Sequence, residues 1–65
     1  MTRDEQLWGA ALAIERQHAG RAPAYVAERI AAAARAGDPL GIETMTAIAI
    51  RLDQLLSEVG ERPAQ

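Results

Sequence analysis

Glu15 and His18 are the residues whose types and spacing come closest to a chemical site. A Glu-x-x-His spacing puts both side chains on one helical face, and di-metal carboxylate bundles use it to supply metal ligands. Those bundles repeat the spacing and add further glutamates, whereas this chain has it once and contains a single histidine. We therefore interpret Glu15, His18 and Arg29 as a structural polar cluster. In it Glu15 pairs with an arginine such as Arg29, while His18 closes a helix C-terminus, where the helix dipole favours it. We predict no metal and no cofactor, although a symmetric dimer would supply a second copy of the spacing.

The residue types that act as nucleophiles do not fall into catalytic patterns. The chain has no cysteine, and Ser57, Thr44 and Thr46 have no histidine near them in sequence. A nucleophile needs an adjacent base. No glycine-rich phosphate-binding motif is present, and Asp4 with Glu5 is typical of acids that complement a helix N-terminus. The sequence predicts that the protein is not an enzyme and has no small-molecule substrate.

Charge and hydropathy argue against two classes of partner. The 65 residues include seven arginines, no lysine and nine acidic residues, for a net charge of −2. Nucleic-acid binding therefore lacks its usual electrostatic support. A DNA-binding helix-turn-helix is disfavoured because its recognition helix would begin with segment 38–43, whose residues are acidic and apolar. No apolar run approaches the roughly 18 residues of a membrane span, and the first residues do not form a signal peptide. We expect a cytoplasmic protein with no nucleic-acid or membrane partner.

Helix signals predict the elements that position these residues. We predict helices over residues 3–19, 23–36 and 39–59. Thr2 and Glu5 have the spacing of a capping box, which starts the first helix. Gly20 supplies the left-handed residue that commonly ends a helix. Pro23 then takes the first position of the second helix, where its missing N–H is tolerated.

The predicted connection between the second and third helices is shorter than the one between the first and second. Gly37 is expected to end the second helix, Asp38 to cap the third, and Pro39 to occupy its first position. Gly60 is expected to end the third helix, leaving 61–65 as a frayed tail. Short connections of this kind make consecutive helices antiparallel neighbours.

Apolar residues at helical spacing predict the faces that pack together. The stripes are Leu7, Ala11, Ile14 and His18 in the first helix; Val26, Ile30 and Ala33 in the second; and Met45, Ile48, Leu52, Leu55 and Val59, beside Ile42, Ala49 and Leu56, in the third. Of the 32 hydrophobic residues 15 are alanine and none is phenylalanine, so the core is expected to be thin. The chain is predicted to be one domain, residues 1–65, folded as a compact all-α three-helix bundle.

Four residues are candidates for an interaction surface. Ile50 projects nearly opposite the main stripe of its helix, so in a monomer it should be exposed, either harmlessly or at an interface. Trp8 and Tyr25 are the only aromatic residues; together with Met45 they are expected to fill the core, with a partner surface as the alternative. Leu56 completes the candidate surface. The thin core, the long third helix and Ile50 favour a homodimer.

Segments 7–19, 22–30, 36–38 and 49–55 together resemble a family of small alphaproteobacterial proteins described only as a domain of unknown function. The similarity covers nearly the whole chain, although Met45 stands where the family pattern has tryptophan. The resemblance implies a compact helical unit in a bacterial cytoplasm, and it implies no activity, cofactor or catalytic residue.

The residues and the resemblance together favour a non-catalytic helical module that binds another protein and also forms a homodimer. The alternative is a small regulator or inhibitor of a larger enzyme or nucleoprotein complex. A DNA-binding helix-turn-helix and a metal-binding bundle are less favoured.

Overall fold

The structure is a computed structural model that describes residues 2–60, with side chains through Glu58. Its elements are α1 (Arg3–His18), a 3-10 turn (Ala19–Arg21), α2 (Ala22–Arg35) and α3 (Pro39–Gly60). No strand occurs within this part of the chain, so the all-α prediction is confirmed. The expected ending at Gly60 and the tail 61–65 lie at or beyond the last described residue.

The prediction of three separate helices is wrong in one respect. Residues 3–35 form one uninterrupted helical run, and only residues 36–38 separate it from α3. Two continuous helical runs therefore replace the three expected, although each bound of α1, α2 and α3 lies within one residue of its prediction. The backbone N–H of Ala22 donates to the Ala19 carbonyl across the 3-10 turn. The chain thus bends without leaving helical hydrogen bonding.

Gly20 does not act as the left-handed end of α1. It lies inside the 3-10 turn, and the positive φ falls on Ala19, with φ 48° and ψ −122°. Among residues 2–60, Ala19 is the only residue other than glycine with a positive φ. An alanine in this conformation is strained because its Cβ crowds the backbone.

The predicted N-terminal caps of α1 and α3 are both confirmed. At the start of α1, the Glu5 backbone N–H donates to Thr2 Oγ1 over 3.1 Å, and the Thr2 N–H donates to Glu5 Oε1 over 2.8 Å. This reciprocal pair is the capping box. At the start of α3, the Gly41 N–H donates to Asp38 Oδ1 over 2.9 Å, which makes Asp38 the predicted N-cap.

The end of α2 is a Schellman motif, in which two backbone bonds close over a left-handed residue. Gly37 has φ 67°. The N–H of Asp38 donates to Ala33 and that of Gly37 to Ala34, over 2.9 and 3.1 Å. This turn makes α2 and α3 an antiparallel hairpin.

The core is as thin as the composition predicts. Each helix contributes two buried hydrophobic residues to the core: Leu7, Ala11, Ala22, Val26, Ile48 and Leu52. α3 packs against both other helices, whereas α1 and α2 contact each other much less. The predicted stripes supply all of these residues except Ala22. No helix between residues 2 and 60 is long and apolar enough to cross a membrane.

Candidate functional site

His18 lies at the C-terminus of α1, as predicted, and its imidazole stacks on the Tyr25 ring. The ring centroids are 4.0 Å apart and the planes differ by 16°. Because Tyr25 is near the start of α2, this contact spans the 3-10 turn. Stacked aromatic pairs contribute about 0.5–1.5 kcal/mol beyond the area they bury. The histidine therefore helps to hold the bend between α1 and α2.

Glu15 and Arg29 do not form the predicted ion pair. The salt bridge found among the described residues joins other partners, and Arg29 lines a groove beside the α2–α3 turn. His18 instead stacks on Tyr25, and Glu15 is half-buried. Residues 2–60 contain no group of three His, Cys, Asp or Glu side chains placed to hold a metal ion.

An ion pair that the sequence did not suggest joins α1 to α3. Both Nε and Nη2 of Arg51 donate to Asp4 Oδ1, and the Nε–Oδ1 distance is 3.2 Å. Arg51 Nη1 also donates to the Ala47 carbonyl, over 3.2 Å. Asp4, predicted only as an acid favoured by the helix dipole, thus fixes the N-terminal end of α1. The partners are 47 residues apart, so no local pattern could have revealed them.

The hydroxyl side chains considered as nucleophiles are not brought to a base. Ser57 and Thr46 are exposed, and Thr44 is half-buried. Within residues 2–58, the side-chain hydrogen bonds are those of the capping box, the Asp38 cap and Arg51. The arrangement provides no activated hydroxyl there.

The surface between α2 and α3 carries an apolar groove, which we call the α2–α3 groove. It has a volume of about 200 Å³ and is lined by Pro23, Val26, Ala27, Ile30, Ala49, Leu52, Asp53 and Leu56. Buried Val26 and Leu52 belong to the core, and Ile30, Ala49 and Leu56 are half-buried. Among residues 2–58, Asp53 is the only charged residue that lines the groove, and no residue of α1 lines it. Leu56, predicted at a surface, lies here.

A second, wider depression, the turn-end groove, lies beside the α2–α3 turn. Its volume is about 560 Å³, and it is lined by Arg29, Ala32, Ala33, Ala36, Asp38, Leu40, Gly41, Thr44 and Met45. Asp38 is already engaged as the cap of α3. The mixture of charged, polar and apolar groups makes this groove less selective for an apolar ligand than the α2–α3 groove.

The remaining predicted surface residues differ in their exposure. Ile50 is 54% exposed, as expected from its position on the helix. Trp8 and Tyr25 are half-buried, so neither is as buried as a core residue or as exposed as a surface residue. Leu12 and Leu40 are also exposed, at 41% and 68%. Both lie outside the predicted apolar stripes.

The fold and these surfaces define a small all-α protein with an apolar groove between two antiparallel helices. Residues 3–60 match a family model, and the chain belongs to the family of unknown function DUF6961. The expected resemblance to a family of unknown function is thus confirmed, and it supplies no activity. No curated protein and no solved structure matches the chain significantly.

Proposed function

We propose that the protein is a non-catalytic protein-binding module whose α2–α3 groove receives an amphipathic helix of another protein. The observation that carries this proposal is the composition of the groove, whose lining residues within 2–58 are apolar except for Asp53. Grooves between two helices bind an amphipathic helix through apolar side chains spaced at i, i+3, i+4 and i+7.

Burial along the groove favours insertion of a partner's apolar side chains. Its base consists of core residues Val26 and Leu52, while Ile30 and Leu56 stand half-buried at its sides. A partner that covers Ile30 and Leu56 removes their remaining apolar surface from water, which contributes about 25 cal/mol per Å². Ala27 and Ala49 carry small side chains, so a helix backbone can approach closely there.

The charge of Asp53 specifies the chemistry of the partner. Asp53 is exposed and makes no ion pair with any residue from 2 to 58. A partner helix with a basic residue beside its apolar stripe places that cation next to the carboxylate. Exposed ion pairs contribute only about 0.2–1 kcal/mol, so Asp53 selects and orients the partner more than it tightens binding.

Two related functions use the same surface. A second copy of the chain in the groove would make the protein the predicted homodimer, and a helix of an enzyme or nucleoprotein complex would make it a regulator or inhibitor. Ile50 does not line the groove, so the homodimer draws no support from Ile50 here. A bacterial cytoplasmic setting is part of the same proposal.

A matched pair of alanine substitutions on α2 tests the proposal. Ala27 lines the groove and Ala24 does not, and both are exposed, so Ala27→Glu and Ala24→Glu add the same charge to the same helix. The probes are two synthetic amphipathic helices of about five turns with identical leucine stripes. One carries arginine beside the stripe, and the other carries glutamate. Binding is followed by the amide shifts of the labelled protein.

We expect the arginine peptide to shift the amides of Ile30, Ala49 and Leu56, and the glutamate peptide to bind up to about fivefold more weakly. Ala27→Glu should abolish binding and Ala24→Glu should preserve it. Shifts elsewhere, or equal binding by both variants, would refute the groove as the binding surface. The same variants used in affinity capture from the native host identify groove-dependent partners. Turnover of a substrate by the purified protein would overturn the non-catalytic assignment.

A further inference from the structure

The junction between α1 and α2 holds strain that the sequence does not require. Ala19 adopts φ 48° and ψ −122° although Gly20 stands next to it, and glycine accepts positive φ without a Cβ clash. A Cβ added at Gly20 would meet no atom within 4 Å. A positive φ at a residue other than glycine persists only where surrounding contacts hold it, and α1 makes its main contacts with α3.

The attachment of α1 to the rest of the chain is limited. Leu7 and Ala11 are its buried residues, the Asp4–Arg51 ion pair fixes its N-terminal end, and the His18–Tyr25 stack joins its C-terminal end to α2. Its contacts are mainly with α3, and those with α2 are few. α1 is thus a separable segment that packs on a face of the α2–α3 hairpin.

We propose that two copies of this chain form a dimer by exchanging α1, with residues 19–21 as the hinge. The occupant of the α1-binding face is a second copy because an identical α1 makes every contact that the chain's own α1 makes. Exchange also frees Ala19 in both copies from the positive φ that the closed form imposes. Short strained hinges favour exchange of this kind.

Pro23 determines how the hinge opens. If α1 and α2 formed one straight α-helix, residue 23 would have to donate a hydrogen bond to the Ala19 carbonyl. Pro23 has no N–H to donate, and its ring would crowd that carbonyl. The open junction therefore stays bent and does not merge the two helices. The proposal does not depend on the α2–α3 groove, because no residue of α1 lines that groove.

Crosslinking between two different single-cysteine chains tests the exchange, since the natural sequence has no cysteine. One chain carries Asp4→Cys and the other Arg51→Cys. The two are unfolded together, refolded at increasing total concentration and treated with a short bis-maleimide. Positions 4 and 51 of different copies are neighbours only in the exchanged dimer. A mixture of Asp4→Cys with Glu43→Cys is the control, since Glu43 is exposed on α3 about 12 Å along the helix from Arg51.

We expect a crosslinked heterodimer from the 4–51 mixture, increasing with concentration, and little from the control mixture. Ala19→Gly removes the strain of the closed form in both chains and should therefore raise the dimer dissociation constant by about 30-fold or more. Gly20→Ala, the matched change at the neighbouring residue, should alter it less than about twofold.

Three outcomes would overturn the proposal. The first is a monomer by light scattering with no 4–51 crosslink up to millimolar concentration. The second is a dimer that forms without this crosslink, because such a dimer uses another surface. The third is a crosslinked dimer that responds equally to Ala19→Gly and Gly20→Ala, because the strain at Ala19 would then play no part.

Discussion

The two junctions of this chain contain similar residues and fold differently. Each has a glycine followed within three residues by a proline. Between α2 and α3 the glycine, Gly37, adopts the positive φ and completes a Schellman motif. Between α1 and α2 the positive φ falls on Ala19, one residue before the glycine. In this chain, the packing of the helices decides whether the glycine or its neighbour adopts the positive φ that ends a helix.

Packing explains the difference at the first junction. Burial of Leu7 and Ala11 fixes the rotation of α1, and burial of Ala22 fixes the start of α2. The stack of His18 on Tyr25 spans the three residues between them. At the second junction, local hydrogen bonds within segment 33–41 are sufficient to fix the turn.

Substituting alanine at the two glycines should give the largest contrast. Gly37→Ala puts a Cβ on a residue with φ 67° and should cost about 1–2 kcal/mol, lowering the melting temperature by about 4–8 °C per kcal/mol. Gly20→Ala faces no atom within 4 Å and should change stability by at most about 0.5 kcal/mol, a surface-like change. Equal losses at both sites would show that the junctions do not differ as described.

The Asp38 cap and Gly41 should be energetically coupled. Asp38→Ala removes the cap and should cost about 1 kcal/mol. A Cβ at Gly41 would collide with the Asp38 carboxylate and lie 3.3 Å from Ala33 Cβ. Gly41→Ala should therefore gain little in the natural chain, but about 1 kcal/mol of helix propensity once Asp38 is alanine. A double-mutant cycle by urea unfolding measures the coupling, and additive effects would contradict it.

Replacing the strained alanine should stabilise the monomer. Ala19→Gly removes about 1–2 kcal/mol of strain and adds about 0.4–1 kcal/mol of unfolded-state entropy. The net gain should be about 0.5–1 kcal/mol. Thermal unfolding at low protein concentration measures it, with Ala13→Gly on the exposed face of α1 as a control that should lose about 1 kcal/mol. A loss at both positions would mean that Ala19 is not strained.

The Asp4–Arg51 ion pair should have the smallest effect. Asp4→Asn should cost about 0.2–1 kcal/mol, because one partner is largely exposed. The loss should shrink in about 1 M salt, which screens exposed charges. Asp53→Asn, which removes an acid with no ion pair among residues 2–58, is the control. If the loss of stability did not depend on salt, the effect of Asp4→Asn would come from packing and not from the ion pair.

Signals that act within one helical turn predicted most of the fold. Thr2 with Glu5 and Gly37 with Asp38 form hydrogen bonds to neighbours at most five residues away, so their residue types suffice to predict them. The apolar spacing likewise predicted that Leu7, Val26 and Leu52 would be buried. The candidate site was predicted less well. The Glu15–Arg29 pair failed because it depended on how two helices are rotated relative to each other.

The sequence by itself determined an all-α chain, its capped ends, its buried stripes and the exposure of Ile50, because each follows from helical periodicity and nearby hydrogen bonds. Only the tertiary structure decided that Ala19 takes the positive φ, that Arg51 reaches Asp4, and that α2 and α3 leave an apolar groove. These features depend on helix crossing and rotation. Packing sets both over distances that no local sequence pattern spans.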